Sequence, residues 1–238
     1  MLKVTSKIIN FLDQKNNVIS AYRLFQRSDG KNLVFYPVPK NANSSFKKLF
    51  IEHLSIEKDY LFLDDDIPMH QKEKYKENFK NGNWLWSFLP PKPIFSLMPS
   101  NLDVIKLAIV RNPIERFLSA YNNRVLWHKD SDFNNLSVNE VITKLKNKKF
   151  DNLHFLPQTY FLGHQPDYYT HLSLMPSING MVNFINNFFG KELYMKKLQI
   201  RHGTEPITIK EVSKYSNELR FIYKDDYQFI KSIKGNKI

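Results

Sequence analysis

The chain has 238 residues, of which 42% are apolar, so it is long enough for one globular domain with a sizeable hydrophobic core. It contains no cysteine, which excludes disulfides and thiolate metal sites. Its formal net charge of +12 favours anionic ligands, either a nucleic acid or a multiply charged small molecule. We expect a single domain over residues 1–238.

Residues 1–30 contain no candidate catalytic or binding residue, and we expect them to lead into the first strand of the sheet. Residues 18–26 are predicted to form a strand or a helix. Polar residues interrupt the apolar stretch of residues 1–16 within a few positions, so this stretch predicts neither a secretory signal nor a membrane span. We therefore expect a cytoplasmic protein.

A predicted strand, loop and helix form the first segment of the chain that suggests a binding site. Residues 33–36 are a short apolar run typical of a buried strand. Apolar residues then recur at helical spacing from Phe46 onward, and Ser44 or Ser45 is the predicted N-cap. Lys40 lies in the loop beside the first-turn amides, whose free N–H groups and helix dipole suit a phosphate or a sulfate.

Residues 56–101 are polar, charged and interrupted, and they predict an insertion on the sheet. Residues 64–66 are aspartates whose spacing is not that of a calcium loop, which favours a solvated turn. Trp84 and Trp86 have two open interpretations, stacking on a sugar or a base and burial beneath the loop.

A second strand and helix follow. Residues 104–110 predict another buried strand, after which Asn112 is a candidate helix cap and Pro113 suits the first helical position. Arg111 stands at the carboxyl end of the strand, where open α/β sheets bind their ligands. Ser119 lies on the side of the helix away from its apolar stripe, so Arg111 and Ser119 together suit one phosphate.

Both loops resemble the donor-binding motifs of sulfotransferases. Residues 39–46, PKNANSSF, resemble the 5′-phosphosulfate loop P-K-x-[GA]-[ST]-[ST]-[ST]-[FW], except that Asn43 replaces a hydroxyl residue. Residues 111–121, RNPIERFLSAY, match the 3′-phosphate motif R-[DN]-P-x-x-R-x-x-S-x-Y at every defined position. The order of the two motifs, separated by about seventy residues, makes coincidence an unlikely explanation.

Two later motifs extend the resemblance over residues 33–230. Residues 154–158 contain H-x-x-P-Q, an element of the branch that resembles membrane sulfotransferases and is often called family 2. Residues 223–229 resemble the closing Y-x-x-D-Y-x-x-F of the family, which implies a packing role.

The remaining elements are predicted from local pattern alone. Residues 137–140 form a capping box that opens a helix to about residue 148. Two further helices are predicted, one at residues 178–189 that ends at Gly190 and one at residues 209–216. Residues 219–223 predict a strand.

The resemblance implies an α/β fold of the P-loop-NTPase-like type, with a short parallel central sheet flanked by helices in three layers. It also implies 3′-phosphoadenosine 5′-phosphosulfate (PAPS) as the donor and a hydroxyl acceptor, expected to be on a carbohydrate. No metal is needed for this chemistry, because the protein mostly positions the reactants and neutralises negative charge.

The implied donor site uses both phosphate motifs. Lys40 would lie over the leaving bridging oxygen, and Arg111 and Ser119 would bind the 3′-phosphate. The 5′-phosphate would lie against the loop and the start of its helix, formed by Lys40, Asn41, Ala42, Asn43, Ser44, Ser45 and Phe46.

Several residues compete for the role of general base. His154 is the first candidate, because it belongs to H-x-x-P-Q. Glu52 is the second, since heparan-type relatives use a glutamate on this helix, although at the position of Lys48 here. His70 is a more distant candidate, and His53 lies on the apolar stripe, which favours a packed core residue.

Two other functions are consistent with parts of the pattern. A nucleotide or sugar kinase would have a related architecture, but the loop lacks the glycines of G-x-x-x-x-G-K-[ST]. A basic nucleic-acid-binding protein would fit the charge, but no recognisable helix-turn-helix, finger or RNA-binding motif occurs in the chain. We therefore expect no nucleic-acid partner, and the oligomeric state stays open.

Overall fold

The structure is a computed structural model that describes residues 22–26, 32–46, 49, 84–87, 104–147, 149, 152–195 and 205–235. The base candidates Glu52 and His70, and also His53 and most of the predicted insertion, lie outside the described residues. The single domain and the insertion over residues 56–101 stay predictions.

Among the described residues, five strands form one mixed sheet with the order β3-β1-β2-β4-β5. The strands are β1 (Tyr22–Gln26), β2 (Asn32–Tyr36), β3 (Trp84–Ser87), β4 (Val104–Val110) and β5 (His171–Leu174). Strands β2, β4 and β5 are parallel, whereas β1 pairs antiparallel with both β2 and β3. The two strands predicted before the phosphate motifs are confirmed as β2 and β4, and they are neighbours. Trp84 and Trp86 lie on β3.

In the described part of the chain, helices lie both between the strands and after the last strand. They are α1 (residues 43–46, with residue 49 also helical), α2 (Pro113–Ala120), α3 (Val138–Lys146), α4 (Gln158–Leu162), α5 (Asn179–Phe189), α6 (Ile209–Ser213), α7 (Ser216–Ile222) and α8 (Lys224–Gly235). Helix α2 continues into a π-helical segment at Tyr121–Trp127, and 3₁₀ turns lie at Leu153–Phe155 and Pro166–Tyr168. In the part of the chain that the structure describes, no helix is both long and apolar enough to cross a membrane.

The alternation of side chains along β2 and β4 places a hydrophobic layer on each face of the sheet. On one face, buried side chains of β2 and β4 pack against α1 and α5: Leu33, Phe35, Leu107, Ile109, Phe46, Leu49, Met181, Val182, Ile185 and Phe188. On the other face they pack against α4 and α8: Tyr36, Ala108, Val110, Phe161, Leu162, Phe229 and Ile233. The predicted α/β fold, with helices on both faces of a short parallel sheet, is confirmed.

A third cluster joins α2, the π-helical segment, α3 and α7 beside the sheet, and it includes Phe155 of the first 3₁₀ turn. The predicted capping box opens α3, since the amide of Glu140 donates to Oγ of Ser137 at 3.3 Å and the amide of Ser137 donates to Oε2 of Glu140 at 2.7 Å. The predicted stop of α5 is confirmed as well, because Gly190 has a φ of 68°.

The strand predicted at residues 219–223 is wrong, because these residues belong to α7 and the turn after it. A strand would place Leu219, Phe221 and Tyr223 on one face. The structure buries Leu219 and Tyr223, which are four residues apart, and leaves Phe221 69% exposed. A short apolar run fits both periods, and packing against the third cluster selects the helical one.

Substitutions at α7 distinguish the helix from a strand. We expect Leu219→Ala to lower the free energy of unfolding by about 2–5 kcal/mol, since it empties a fully buried position. Phe221→Ala should change the free energy by no more than about 0.5 kcal/mol, because its ring lies on the surface. Urea unfolding measures both values, and similar losses for the two variants would contradict the helix.

Candidate functional site

The loop between β2 and α1 contains two residues with left-handed backbone. Lys40 and Ala42 have φ values of 68° and 56°, which residues other than glycine seldom adopt. Between them, the amide of Asn41 donates to the carbonyl of Val38 at 3.2 Å. The chain therefore folds back on itself and enters α1 at the carboxyl end of β2.

The predicted N-cap at Ser44 or Ser45 is wrong. Helical residues begin at residue 43, and the amide of Phe46 donates to the carbonyl of Ala42 at 3.0 Å, so Ala42 holds the N-cap position. The turn at Asn41 has already directed the chain into the helix, so no hydroxyl cap is needed. Ser44 and Ser45 consequently lie in the first turn, where backbone N–H groups have no acceptor within the helix.

The second motif begins where β4 ends, beside this loop. Asn112 caps α2 as predicted, since its Oδ1 accepts from the amide of Ile114 at 3.0 Å, and Pro113 is the first helical residue. Because β2 and β4 are parallel neighbours, their carboxyl ends meet. Nη1 of Arg111 donates to the carbonyl of Lys40 at 3.2 Å. The structure thus brings the two predicted phosphate motifs together.

Ser119 lies further along α2 and is half-buried. Nε of Arg111 is 3.5 Å from the carboxylate of Glu115, one helical turn before Ser119. Residues four apart lie on the same side of a helix. Arg111, Glu115 and Ser119 therefore follow one side of α2 from its amino end.

Arg116 is a residue of the second motif to which the sequence analysis assigned no role. It is 1% exposed, and it donates from Nε to the carbonyl of Pro39 at 2.9 Å and from Nη1 to the carbonyl of Leu156 at 2.6 Å. Burial lowers the pKa of its guanidinium. The only indication of this burial in the sequence was the position of Arg116 between the apolar residues of an amphipathic helix. Arg116 ties the loop of Lys40 to the segment that contains His154.

Gln158, the glutamine of H-x-x-P-Q, connects both phosphate motifs through one carboxamide. Its Oε1 accepts from the amide of Arg111 at 2.9 Å and from Nδ2 of Asn41 at 2.7 Å. Its Nε2 donates to the carbonyl of Arg111 at 2.8 Å. Nδ2 of Asn41 donates in addition to the carbonyl of Ile109 at 2.8 Å. All of these contacts are buried or partly buried, so Gln158 fixes the two motifs relative to each other.

Asp226, from the closing motif, binds the backbone at Gln158. Its carboxylate accepts from the amides of Gln158 and Thr159 at 2.8 and 2.9 Å, and from Oγ1 of Thr159 at 3.0 Å. Burial raises the pKa of Asp226, and the hydrogen bonds from the two amides act against that rise. The closing motif does pack, through Tyr223 and Phe229, but its aspartate also orders the first residues of α4.

A family model described as the sulfotransferase family matches residues 23–168, which is more than half of the chain. The chain belongs to the sulfotransferase family. The resemblance inferred from the motifs is thereby confirmed, and the protein is a transferase of the sulfuryl-transferring class. No curated protein and no solved structure matched the chain. Asp226 lies beyond the matched residues, although its partner Gln158 lies within them.

His154 of this sulfotransferase stands in the 3₁₀ turn after α3. Its ring Nδ1 is 2.8 Å from Oδ1 of Asn152. Burial lowers the pKa of His154 to about 3, and neighbouring cationic groups add to the effect, in decreasing order Arg124, Lys40, Arg116 and His128. The structure therefore brings His154 into the electrostatic neighbourhood of Lys40, and the imidazole is neutral at pH 7.

The contacts of Gln158 predict a large loss of stability when its carboxamide is removed. Gln158→Ala leaves the backbone amide and carbonyl of Arg111 without the carboxamide that pairs with them and removes one of the two acceptors of Nδ2 of Asn41, so we expect the free energy of unfolding to fall by about 2–5 kcal/mol. Gln165→Ala removes an exposed glutamine and should change it by no more than about 0.5 kcal/mol. Denaturant unfolding of the two variants compares them, and equal values would contradict the role of Gln158.

Proposed function

We propose that this sulfotransferase uses PAPS as its donor and transfers the sulfuryl group to a hydroxyl, with a carbohydrate as the acceptor class. The observation that supports the donor best is the fully buried guanidinium of Arg116 and the half-buried guanidinium of Arg111, both bonded to the loop that leads into α1. Exposed Tyr160 on α4, the helix after His154, offers an aromatic ring that can stack on a sugar face.

Two nitrogens at this edge of the sheet support an anionic ligand. Within the described residues, Nη2 of Arg116 and Nε of Arg111 are buried and have no hydrogen-bond partner, although Nε of Arg111 is near the carboxylate of Glu115. A buried charged donor without a partner is unfavourable unless a ligand satisfies it. The dipole of α1 and its first-turn amides add to the preference for an anion.

Each part of the donor then has a proposed partner. The 5′-phosphate would lie against the amides of residues 42–45 and the hydroxyls of Ser44 and Ser45, with Lys40 at the bridging oxygen. The amides of Asn41 and Phe46 already donate within the protein, so these residues would contribute by shaping the loop. The 3′-phosphate would bind Arg111 and Ser119, because both lie along one side of α2. Asn43 and Ala42 would contribute to binding of the 5′-phosphate through their backbone amides.

The transfer itself needs one proton acceptor. The acceptor hydroxyl would attack sulfur in line, the bond from sulfur to the bridging oxygen would break, and adenosine 3′,5′-bisphosphate would leave with that electron pair. Lys40 would neutralise the charge that grows on the bridging oxygen. Nε2 of His154 would take the hydroxyl proton, because a neutral imidazole can accept one.

Donor binding would also adjust His154 for this role. A base works best when its pKa is near the working pH, and the low pKa of the free protein reflects burial together with the charges of Arg124, Lys40, Arg116 and His128. An anion bound at Lys40 and Arg116 would offset two of these charges. We therefore expect the pKa of His154 to rise when the donor binds.

The donor proposal predicts a preference for a nucleotide with a 3′-phosphate. Wild-type protein should bind adenosine 3′,5′-bisphosphate about 10- to 150-fold more tightly than adenosine 5′-phosphate, the ratio for a charged hydrogen bond of about 1.5–3 kcal/mol. Arg111→Ala should remove this preference, whereas Arg220→Ala, at an exposed position, should keep it. Calorimetry measures all affinities. Equal binding of both nucleotides by the wild type would exclude the donor and favour a kinase or a nucleic-acid-binding protein.

The base proposal predicts a loss of turnover without a loss of donor affinity. His154→Ala should lower the rate of sulfuryl transfer from PAPS to a glycan panel by about 10²- to 10⁴-fold, while the affinity for adenosine 3′,5′-bisphosphate stays within about threefold. His164→Ala removes an exposed histidine and serves as the matched control. Unchanged turnover in His154→Ala would leave Glu52 and His70 as the candidates.

A further inference from the structure

A series of side-chain bonds leads from the π-helical segment toward His154. Nε and Nη2 of Arg124 donate to Oδ2 and Oδ1 of Asp130 at 2.7 and 2.8 Å. The amide of Asp130 also donates to the carbonyl of Arg124 at 2.9 Å. A two-pronged contact between an arginine and a carboxylate fixes the orientation of both groups, and the backbone bond holds this pair in place.

Asn152 connects the pair to the histidine. Its Nδ2 donates to Oδ2 of Asp130. Its Oδ1 accepts from the amide of His154 at 3.0 Å and lies 2.8 Å from the ring Nδ1. Arg124, Asp130, Asn152 and His154 therefore form one connected set, outside the loops proposed to bind the donor.

The chemistry of these groups decides which nitrogen of the ring holds the proton. An ionised carboxylate can only accept hydrogen bonds, so Asp130 requires the NH₂ group of Asn152 on its side. The carbonyl oxygen of Asn152 is then directed to His154, and it too can only accept. Nδ1 of His154 must therefore be the N–H donor, and Nε2 of the neutral ring keeps its lone pair.

We propose that Asp130 and Asn152 are positioning residues that hold His154 in the tautomer with the lone pair on Nε2, and that Arg124 anchors them. The catalytic meaning of this inference rests on the proposed function, in which Nε2 takes the proton of the acceptor hydroxyl as the oxygen bonds to sulfur. The proton is released from the ring to solvent after adenosine 3′,5′-bisphosphate has left with the electron pair of the broken bond.

A purely structural role is the alternative. Asn152 also caps the 3₁₀ turn Leu153–Phe155 through the amide of His154. A cap alone would stabilise the turn and would leave the tautomer and the titration of the ring unaffected. The charged and titratable groups that act on the ring are the same in both cases, namely Arg124, Lys40, Arg116 and His128, with Asp130 behind Asn152.

The first experiment determines the tautomer in the wild-type protein without any ligand. Nitrogen NMR of the histidine side chains, with His154 assigned by comparison with His154→Gln, should show at pH 7 a protonated Nδ1 and an unprotonated Nε2. A proton on Nε2, or averaging between the two nitrogens, would overturn the proposal. Neither the donor nor the acceptor enters this measurement, so its failure is distinct from a failure of the proposed function.

Variants of Asn152 separate positioning from capping. Asn152→Leu removes the acceptor, so we expect both tautomers to be populated and turnover to fall about tenfold or more, with unchanged affinity for adenosine 3′,5′-bisphosphate. Asn152→Asp loses the donor to Asp130, and its carboxylate repels that of Asp130, but it keeps an acceptor beside Nδ1 and adds a negative charge; the proton should therefore stay on Nδ1 while the ring titrates at higher pH. Asn134→Leu, at an exposed position, is the control.

Three combinations of results distinguish positioning of the His154 ring from capping of the turn. Loss of thermal stability in Asn152→Leu with the tautomer of His154 unchanged would make Asn152 a cap only, and the proposal would be wrong. A changed tautomer together with a lower turnover would support it. If Asn152→Leu changes the tautomer, and both Asn152→Leu and His154→Ala keep full turnover, the result would support the positioning and reject His154 as the base.

Discussion

The carboxamide of Gln158 is the contact on which the arrangement of the site depends. It satisfies the amide and the carbonyl of Arg111 and the side chain of Asn41 at once. Each of these groups is buried or partly buried, so the position of any one restricts the others. The ends of β2 and β4 determine where the two loops lie. Gln158, whose backbone amide is bonded to Asp226, holds the two loops in a fixed position relative to each other.

Positive charge at this edge is the second constraint on the fold. Arg111 and Arg116 both bond to the loop that contains Lys40, and Arg116 is fully buried with backbone carbonyls as partners. Carbonyl oxygens stabilise a guanidinium less than a carboxylate does. The protein thus keeps Nη2 of Arg116 buried without a hydrogen-bond partner among the described residues, at the edge of the sheet where we propose that the donor binds, which is a common compromise between stability and function.

Local chemistry in the sequence was enough to predict the elements around the two motifs. Short continuous apolar runs predicted β2 and β4, and the caps at Asn112 and Ser137 marked two helices. The rest depends on contacts between distant parts of the chain. The short run at residues 219–223 fits a helix and a strand equally, and only its packing selects the helix. The roles of Gln158 and Asp226 need the folded sheet, because their partners lie far away in the sequence.

The position of Asp226 has a consequence for the order in which the protein matures. Asp226 follows every other residue of the site along the chain, and it orders the start of α4. The ribosome adds amino-terminal residues first, and a domain generally folds as a unit. A nascent chain that already contains both phosphate motifs and Gln158 still lacks the carboxylate that sets their register. The site is therefore complete only when α8 has docked and Asp226 has bonded to the start of α4.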